Sequence, residues 1–313
     1  MKAAFIHSAR DLRIEQSDLP ALGPNDVHVR VRNGGICGSD LHYYQDGGFG
    51  VVRIREPLTP GHEIAGEVQS VGRDVTRVKV GDRVAVNPSR PCGHCEYCLE
   101  GAPRHCLDMR FFGSAMRFPH VQGGFCEVLA CTEAQAVKIG HDLPLEIAAF
   151  AEPLSVCLHA ATQAGILMGR RVLVTGAGPI GALAVLVARH AGAREVIATD
   201  LADAPLSIVR HIGADAALNV RTDPAALDKF GAGKGYFDVM FEASGSGARL
   251  PRRCPRSGPG RRSSSSASAA MRASRSTRSW PRRSRCVELS ASIGNSTGRW
   301  RSWARARSMS GHC

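Results

Sequence analysis

The 313-residue chain has no apolar run near the roughly 20 residues that cross a bilayer, which excludes a membrane span. A secretory signal is also missing, because Arg10, Asp11 and Arg13 occur before any long apolar core can form. We therefore expect a cytoplasmic protein with no membrane partner. Hydrophobic residues make up 43% of the chain and charged residues 22%, which is enough apolar sequence for two globular domains.

Lysine is absent from residues 248–313, which contain 16 arginines, 16 serines and a single acidic residue, Glu288. The net charge of +12 comes from this tail, since the preceding 247 residues carry 24 basic and 27 acidic residues. A nucleic-acid-binding arm usually mixes lysine with arginine and interleaves aromatic residues. We therefore do not expect nucleic acid as a partner.

The tail shows neither a helical nor a strand period. Its excess of Arg, Ser, Ala, Gly and Pro is typical of a GC-rich coding strand translated in the wrong frame. We hypothesise that the frame is lost between about Gly245 and Pro251, and a genuine disordered arm is the alternative. On either hypothesis we expect residues 248–313 to be disordered.

The rest of the sequence changes its periodicity near residue 145. Before that point, segments such as 27–32 and 67–71 alternate at period two, which indicates a β-rich domain of short strands. After it, strands and helices alternate, which predicts an α/β domain with a parallel sheet. The predicted helices are 146–163, 180–191 and 206–212, and the predicted strands are 171–175, 196–199, 216–220 and 237–242.

A glycine-rich turn of the form G-x-G-x-x-G follows the strand at residues 171–175 and opens the next helix. Such a turn lets the backbone and the helix N-terminus approach a pyrophosphate, and a tight turn without function is the alternative. Asp200 ends the second strand, where a carboxylate binds ribose hydroxyls and repels a 2′-phosphate. We predict a site that favours NAD over NADP, formed by Gly176, Gly178, Pro179, Ile180, Gly181 and Asp200.

Four cysteines with C-x2-C-x2-C-x7-C spacing, Cys92, Cys95, Cys98 and Cys106, lie in one Gly- and Pro-containing loop. Four thiolates on a short loop can close a tetrahedral structural zinc site. Disulfides and an iron–sulfur cluster are the alternatives, but the expected compartment is reducing and nothing nearby suggests electron transfer. His94 lies between two of these cysteines and is not needed as a ligand.

A second candidate metal set consists of Cys37 and the adjacent pair His62 and Glu63. A thiolate, an imidazole and a carboxylate from different loops can hold zinc and leave a position open for substrate. Each residue alone is unremarkable, because a lone Cys or His is more often simply packed.

The sequence GHEIAG at residues 61–66, followed by Gly72 and Val75, resembles the signature of zinc-containing alcohol dehydrogenases, the medium-chain dehydrogenase/reductase family. The cysteine loop and the glycine turn follow in the family's order, and the resemblance covers residues 1–247. Segments 34–44, 87–95, 108–116 and 151–154 are similar to the polyol, threonine and aldonate branches. The resemblance implies a GroES-like catalytic domain (1–150) and a doubly wound Rossmann domain (151–247), incomplete at its carboxyl end.

The resemblance also implies roles for individual residues. Cys37, His62 and Glu63 would hold the catalytic zinc, with Glu152 as an exchangeable fourth ligand or the holder of the zinc-bound water. Ser39 would accept the hydroxyl proton and His42 would pass it to solvent; a loop-capping serine and a surface histidine are the alternatives. Arg110 and Arg117 are candidates for binding a substrate carboxylate.

The implied reaction is NAD-linked, reversible oxidation of L-idonate to 5-keto-D-gluconate, with sorbitol or threonine as alternative substrates. A non-catalytic, truncated zinc-binding product is the alternative of a different class. The family implies a homo-oligomer, but the tail lacks the expected dimer edge, so we expect this chain to be weakly active or inactive.

Overall fold

The computed structural model describes residues 1–231 and 236–245, together with the backbone of Ala273–Ser274 and Arg285–Glu288. The described residues form two units, Met1–Phe150 and a second unit that begins at Ala151. Within the residues described, every helix is too short or too polar to cross a membrane.

The first unit consists mainly of short strands. Its strands are β1 (Lys2–Ser8), β2 (Asp11–Gln16), β3 (Asp26–Gly35), β4 (Gly48–Phe49), β5 (Val52–Arg53), β6 (Glu63–Val71), β7 (Arg83–Val86), β8 (Ser89–Arg90), β9 (Arg110–Phe111), β10 (Val128–Thr132) and β11 (Ala136–Lys138). Its helices are α1 (Gly38–Asp46), α2 (Glu96–Leu99) and α3 (Leu145–Ala148), and Pro103–His105 forms a single 3-10 turn.

Five of these strands form an antiparallel sheet in the order β10-β3-β6-β7-β11. Alternate residues of β3, Val27 and Val29, are fully buried and pack with Ile64, Val68 and Val84 of the neighbouring strands. The strands predicted at 27–32 and 67–71 are confirmed, since they lie within β3 and β6. Their period-two pattern arises because the side chains of a strand alternate between its two faces.

The second unit is an α/β domain around a parallel sheet. Its helices are α4 (Ala151–Ala164), α5 (Pro179–His190) and α6 (Asp203–His211), and its strands are β12 (Arg171–Thr175), β13 (Glu195–Asp200), β14 (Ala216–Asn219), β15 (Val239–Glu242), β16 (Ala273–Ser274) and β17 (Arg285–Glu288). The order β14-β13-β12-β15 is that of one half of a doubly wound sheet followed by the first strand of the other half. The predicted fold class, a β-rich unit and a parallel α/β unit, is confirmed.

The helix predicted at 146–163 is not continuous, and this part of the prediction is wrong. The structure breaks it at Ala149 and Phe150, between α3 and α4. Pro153 explains the break, because a proline ring inside a continuous helix clashes with the carbonyl four residues earlier, here that of Ala149. In the first turn of a new helix, a proline is tolerated.

Two short strands occur in the tail, where the sequence pattern predicts none. Strand β17 pairs in parallel with β15, so that Val239 lies opposite Arg285 and Glu242 opposite Glu288, and β16 pairs antiparallel with β17. A strand edge offers unpaired backbone N–H and C=O groups to any chain, whatever its side-chain period. The other residues of the predicted disordered tail lie outside the described residues.

Candidate metal centres and nucleotide-binding turn

The structure brings together Cys37, His62 and Glu63, with one ligand atom from each lying within 4.8 Å of the others. Cys37 precedes α1 as its N-cap, and Glu63 is the first residue of β6. The side chains of Cys37, His62 and Glu63 are all buried. A thiol, an imidazole and a carboxyl group are a donor set that suits zinc.

A fourth buried residue, Asp40, joins the two loops that carry these ligands. Its Oδ2 atom accepts a hydrogen bond from the backbone N–H of Cys37 at 2.9 Å, and its Oδ1 atom accepts one from Gly61 N–H at 3.1 Å. Asp40 is a functional residue that none of the sequence motifs singled out. The available signal was an acid three residues after the N-cap Cys37, where it can reach back to the cap's backbone N–H.

The ring of His62 has an unsatisfied polar atom. Its Nδ1 atom is buried and has no hydrogen-bond partner among the described residues, and Asp40 Oδ1 lies 3.8 Å away. In protein metal sites, a histidine that binds the ion through one nitrogen usually donates its other N–H to a carboxylate or carbonyl. The position of Asp40 therefore fits a metal on His62.

Burial shifts the pKa of Cys37, His62 and Glu63 in the direction that favours the neutral form of each side chain. Desolvation, with a smaller contribution from the charge of Asp40, raises the pKa of Glu63 to about 7. Desolvation also raises the pKa of the Cys37 thiol to about 11 and lowers the pKa of His62. A cation among these groups favours thiolate, neutral imidazole and carboxylate, so metal binding has to displace protons here.

Ser39 and His42 both lie on α1, three residues apart and therefore on neighbouring positions of one helix face. Ser39 is buried and hydrogen-bonds to the thiol of Cys37. The ring of His42 is exposed, and its Nδ1 atom lies 3.2 Å from Asp46 Oδ2. The pair thus runs from the buried cluster to the surface, and its role in proton transfer stays a prediction.

The two arginines predicted to bind a substrate carboxylate lie on either side of Phe111 and Phe112. The guanidinium of Arg117 donates to the backbone carbonyls of Leu107 and Met109 and forms an ion pair with Asp108. Arg110 is exposed and lines a cavity in the first unit. Phe111 itself is buried, with its ring centroid 5.3 Å from that of His62. The substrate role of both arginines stays a prediction.

The four cysteines of the short loop also converge: ligand atoms of Cys92, Cys95, Cys98 and Cys106 lie within 4.8 Å of one another. No described cysteine forms a disulfide, so the structure does not support that alternative. The backbone N–H of Leu107 is the main cause that lowers the pKa of Cys95 to about 6. His94 is exposed and bonds through Nδ1 to the carbonyl of Cys92, in keeping with its expected bystander position.

The glycine turn of the second unit lies at the carboxyl end of β12, at the start of α5. Gly176 has φ 84°, and a Cβ there would lie 2.6 Å from the nitrogen of Ser244, so the fold itself requires this glycine. Gly178 is different, since a Cβ there would meet no atom within 4 Å. A glycine that the protein's own packing does not require fits a position that a pyrophosphate approaches closely.

Asp200 lies beside this turn. Its Oδ2 atom accepts a hydrogen bond from Ala177 N–H at 2.7 Å, and its Oδ1 atom accepts from Leu201 N–H at 2.6 Å. These bonds fix the carboxylate at the end of β13, next to the turn, as expected for a residue that binds ribose hydroxyls. Its role with the nucleotide stays a prediction.

A buried glutamate near the same turn was not singled out from the sequence. Glu242 accepts hydrogen bonds from the hydroxyl of Thr175 and from the backbone N–H of Ser244 at 2.8 Å. It thereby ties the end of β12 to the segment that Gly176 approaches.

Glu152, the proposed fourth zinc ligand, is half-buried in the first turn of α4 in the second unit, whereas Cys37 belongs to the first unit. Its role as a ligand stays a prediction.

Comparison with known proteins agrees with this arrangement. Residues 23–141 match the family "Alcohol dehydrogenase GroES-like domain", and residues 179–256 match "Zinc-binding dehydrogenase". The chain is 47% identical to L-idonate 5-dehydrogenase (NAD(P)(+)) of Escherichia coli over 221 residues, which are 71% of this chain and 63% of that protein. It is 38% identical to sorbitol dehydrogenase of Bacillus subtilis, over 80% of this chain and 70% of the relative.

The structure also superimposes on a solved relative. The crystal structure of E. coli L-idonate 5-dehydrogenase matches with a TM-score of 0.74 and 43% identity, over 78% of this chain and 69% of that one. In the sequence match, this chain spans 63% of the length of E. coli L-idonate 5-dehydrogenase, which is somewhat less than two thirds. On the family matches, the identities and the shared fold, this chain belongs to the zinc-binding alcohol dehydrogenase family, with a GroES-like unit followed by a zinc-binding dehydrogenase unit.

Proposed function

We propose that this chain is a zinc- and NAD-dependent dehydrogenase that oxidises a secondary alcohol of a polyol or aldonate. The substrate we propose is L-idonate, oxidised reversibly at C5 to 5-keto-D-gluconate, and sorbitol is the second candidate. The observation that carries the proposal is the convergence of Cys37, His62 and Glu63 in one buried cluster. The names of the E. coli and B. subtilis relatives support the choice of substrates.

The chain's own residues would hold two zinc ions, one catalytic and one structural. Cys37, His62 and Glu63 would bind the catalytic zinc, with Glu152 as an exchangeable fourth ligand, and the four-cysteine loop would bind a second, structural zinc. When bound, zinc supplies Lewis-acid polarisation of the alcohol and NAD supplies the hydride acceptor.

Ser39 and His42 would move the proton that the alcohol loses. Ser39 is buried beside Cys37, so its hydroxyl can accept the alcohol's proton where bulk water is excluded while it passes its own proton on toward His42. His42 lies one helical turn further along α1 with its ring in solvent, so it can release that proton to water. The exposed Asp46 carboxylate beside His42 would stabilise the protonated ring during the transfer.

We propose NAD as the preferred cofactor. The open space at Gly178 and the amino end of α5 would receive the pyrophosphate. Asp200, fixed beside the turn by Ala177, would bind the ribose hydroxyls and repel the 2′-phosphate of NADP. Replacing Asp200 with Ser removes this negative charge, and we expect the ratio of kcat/KM for NADP to that for NAD to rise.

Zinc analysis combined with turnover tests the proposal. The purified chain should contain two zinc ions and form NADH with L-idonate faster than with sorbitol or threonine at saturating NAD. Cys37→Ser should lose one zinc and all turnover, whereas Cys157→Ala, a buried cysteine outside both clusters, should keep both. Two bound zinc ions without NADH formation would instead support a non-catalytic zinc-binding product.

The substrate carboxylate has a separate test. Arg110 and Arg117 remain the proposed cations, and Arg117 already has three partners in its own loop. Replacing Arg110 with Ala should raise KM for idonate more than for sorbitol if Arg110 binds the carboxylate. Equal effects on both substrates would remove this assignment.

We further propose that residues 248–313 arise from a lost reading frame, because they combine 16 arginines with no lysine. Resequencing the codons around Gly245 to Pro251 tests this, and an intact frame through residue 313 would refute it.

We also propose a cytoplasmic location, which the free thiols of the described cysteines support. A homo-oligomer is what the family resemblance implies.

A further inference from the structure

Two arginines face each other across the short ladder formed by β8 and β9. Arg90 is the register partner of Arg110 in this antiparallel pair. Residues directly opposite each other in such a pair have Cβ atoms about 5 Å apart, and like charges in these positions destabilise the pairing. Neither guanidinium forms an ion pair or hydrogen bond with another residue that the structure describes. Both side chains are exposed, and among residues 1–231 and 236–245 the pair has no counter-charge.

Both arginines line one cavity of about 400 Å³ in the first unit, a volume within the range of small-molecule sites. Two neutral polar side chains of the same cavity, Gln122 and His120, already use their polar atoms. Gln122 accepts from Thr59 N–H and donates to a backbone carbonyl, and both ring nitrogens of His120 have backbone partners. Arg90 and Arg110 thus supply hydrogen-bond donors that no residue in the described part of the chain uses.

Two acidic residues, Asp18 and Asp26, also line this cavity. Asp26 accepts a hydrogen bond from the backbone N–H of Gly23 at 3.0 Å. Neither carboxylate forms an ion pair with Arg90 or Arg110. The two positive charges are therefore not neutralised by the cavity's own acids.

The cavity lies on the other face of β9 from the candidate catalytic metal centre. Phe111 contacts the ring of His62, whereas its neighbours Arg110 and Phe112 line the cavity. Successive residues of a strand point to opposite faces, which explains why Arg110 lies on the side of β9 that Phe111 does not share, and Phe112, just after the strand, lies on the side of Arg110.

We infer that Arg90 and Arg110 form an anion-binding site, separate from the metal centre, that takes a small oxyanion through a carboxylate or phosphate group. A guanidinium presents a planar fork of N–H donors that matches two oxygens of either group. One anion between the two forks removes the like-charge repulsion across the ladder. The inference does not rest on the proposed dehydrogenase activity, and for Arg110 it is an alternative to a role in binding substrate.

Titration calorimetry of the full chain, without NAD or alcohol substrate, tests the site. Inorganic phosphate and malonate are titrated separately, and malonamide, the neutral diamide of malonate, serves as the uncharged control. The variants are Arg90→Met and Arg110→Met, with Arg221→Met, an exposed arginine of the second unit, as the charge-matched control. We expect the wild type and R221M to bind at least one of the two anions and not to bind malonamide.

Each of R90M and R110M should weaken binding of that anion by about tenfold or more, because each loses one charge-assisted donor fork. Without anion, neither variant should melt at a lower temperature than the wild type, since each removes one member of a like-charged pair. Binding of phosphate alone would mark the site as a phosphate site, and binding of malonate alone as a carboxylate site.

Three results would overturn the inference. The first is that the wild type binds neither anion. The second is that either R90M or R110M binds as tightly as the wild type, which would place the anion at a different site, such as the glycine turn proposed for the pyrophosphate. The third is that R221M loses as much affinity as R90M and R110M, which would show only an effect of net charge. All three can be distinguished from a failure of the proposed function, because no readout depends on zinc or on hydride transfer.

Discussion

Asp40 Oδ1 lies 3.8 Å from Nδ1 of His62, and both side chains are 4% exposed. The same carboxylate holds the backbone amides of Cys37 and Gly61. One acidic side chain therefore fixes the two loops that carry the candidate metal ligands. The pairing of β3 with β6, which sets Gly35 opposite Glu63, brings these loops together, and Asp40 then bridges them.

Replacing Asp40 with Asn tests this role. We expect zinc affinity at the Cys37 cluster to fall roughly 10- to 100-fold, since residues that orient metal ligands typically have effects of this size. A competition titration with a chromophoric chelator measures it. Asp74→Asn, an exposed acid of the same unit, is the control and should leave the affinity unchanged. An unchanged affinity in D40N would show that Asp40 does not position the ligands.

Zinc affinity at the same cluster should rise with pH. With Glu63 at a pKa of about 7 and Cys37 at about 11, both are protonated below pH 7 in the metal-free chain, and burial keeps His62 neutral. Binding therefore releases two protons below pH 7 and one above it, so affinity should change roughly 100-fold per pH unit at first and then roughly tenfold. Glu63→Gln should make the rise of zinc affinity below pH 7 less steep. A zinc affinity that does not change between pH 6 and 8 would contradict the assignment of Glu63 and Cys37 as ligands.

The four-cysteine loop should lose its structure when its metal is removed. Helix α2 and the turn Pro103–His105 contain no buried residues, so no apolar core holds this loop together. With a chelator, we expect trypsin to cleave after the exposed Arg104 at least about tenfold faster, since metal binding supplies the folding free energy of such loops. Cys95→Ser should have the same effect without chelator, whereas Cys157→Ala should not. Equal cleavage rates with and without chelator would argue against a structural metal.

Gly178→Ala should weaken NAD binding without unfolding the second unit. The added methyl group meets no protein atom within 4 Å and Gly178 has an ordinary φ of −63°, so the melting temperature should not change. The methyl group would occupy the space proposed for the pyrophosphate, and we expect Kd for NAD to rise about tenfold or more. Gly140→Ala, which also points into open space, is the control. An unchanged Kd in G178A would place the nucleotide elsewhere.

Much of the local structure could be predicted from the sequence. The strands around Val27 and Val68 follow from period-two alternation, and β12, the turn at Gly176 and α5 follow from the change to strand–helix alternation. The break between α3 and α4 was missed, although the proline that causes it is visible at position 153. The hydrophobic periodicity continues across such a break and therefore does not mark it. A proline is compatible with the first turn of a new helix and with a kink in a longer one, so Pro153 alone does not place the boundary.

The amino-acid sequence by itself determined the types of ligand and their local spacing: the four cysteines within 15 residues, the His62–Glu63 pair, and the glycines before α5. Only the tertiary structure decided which distant residues meet. Asp40 binds Gly61 from 21 positions away, and Arg90 lies opposite Arg110. The physical reason is that spacing along a chain constrains contacts within a turn or a short loop, whereas contacts between distant segments depend on strand register and on which face each strand buries.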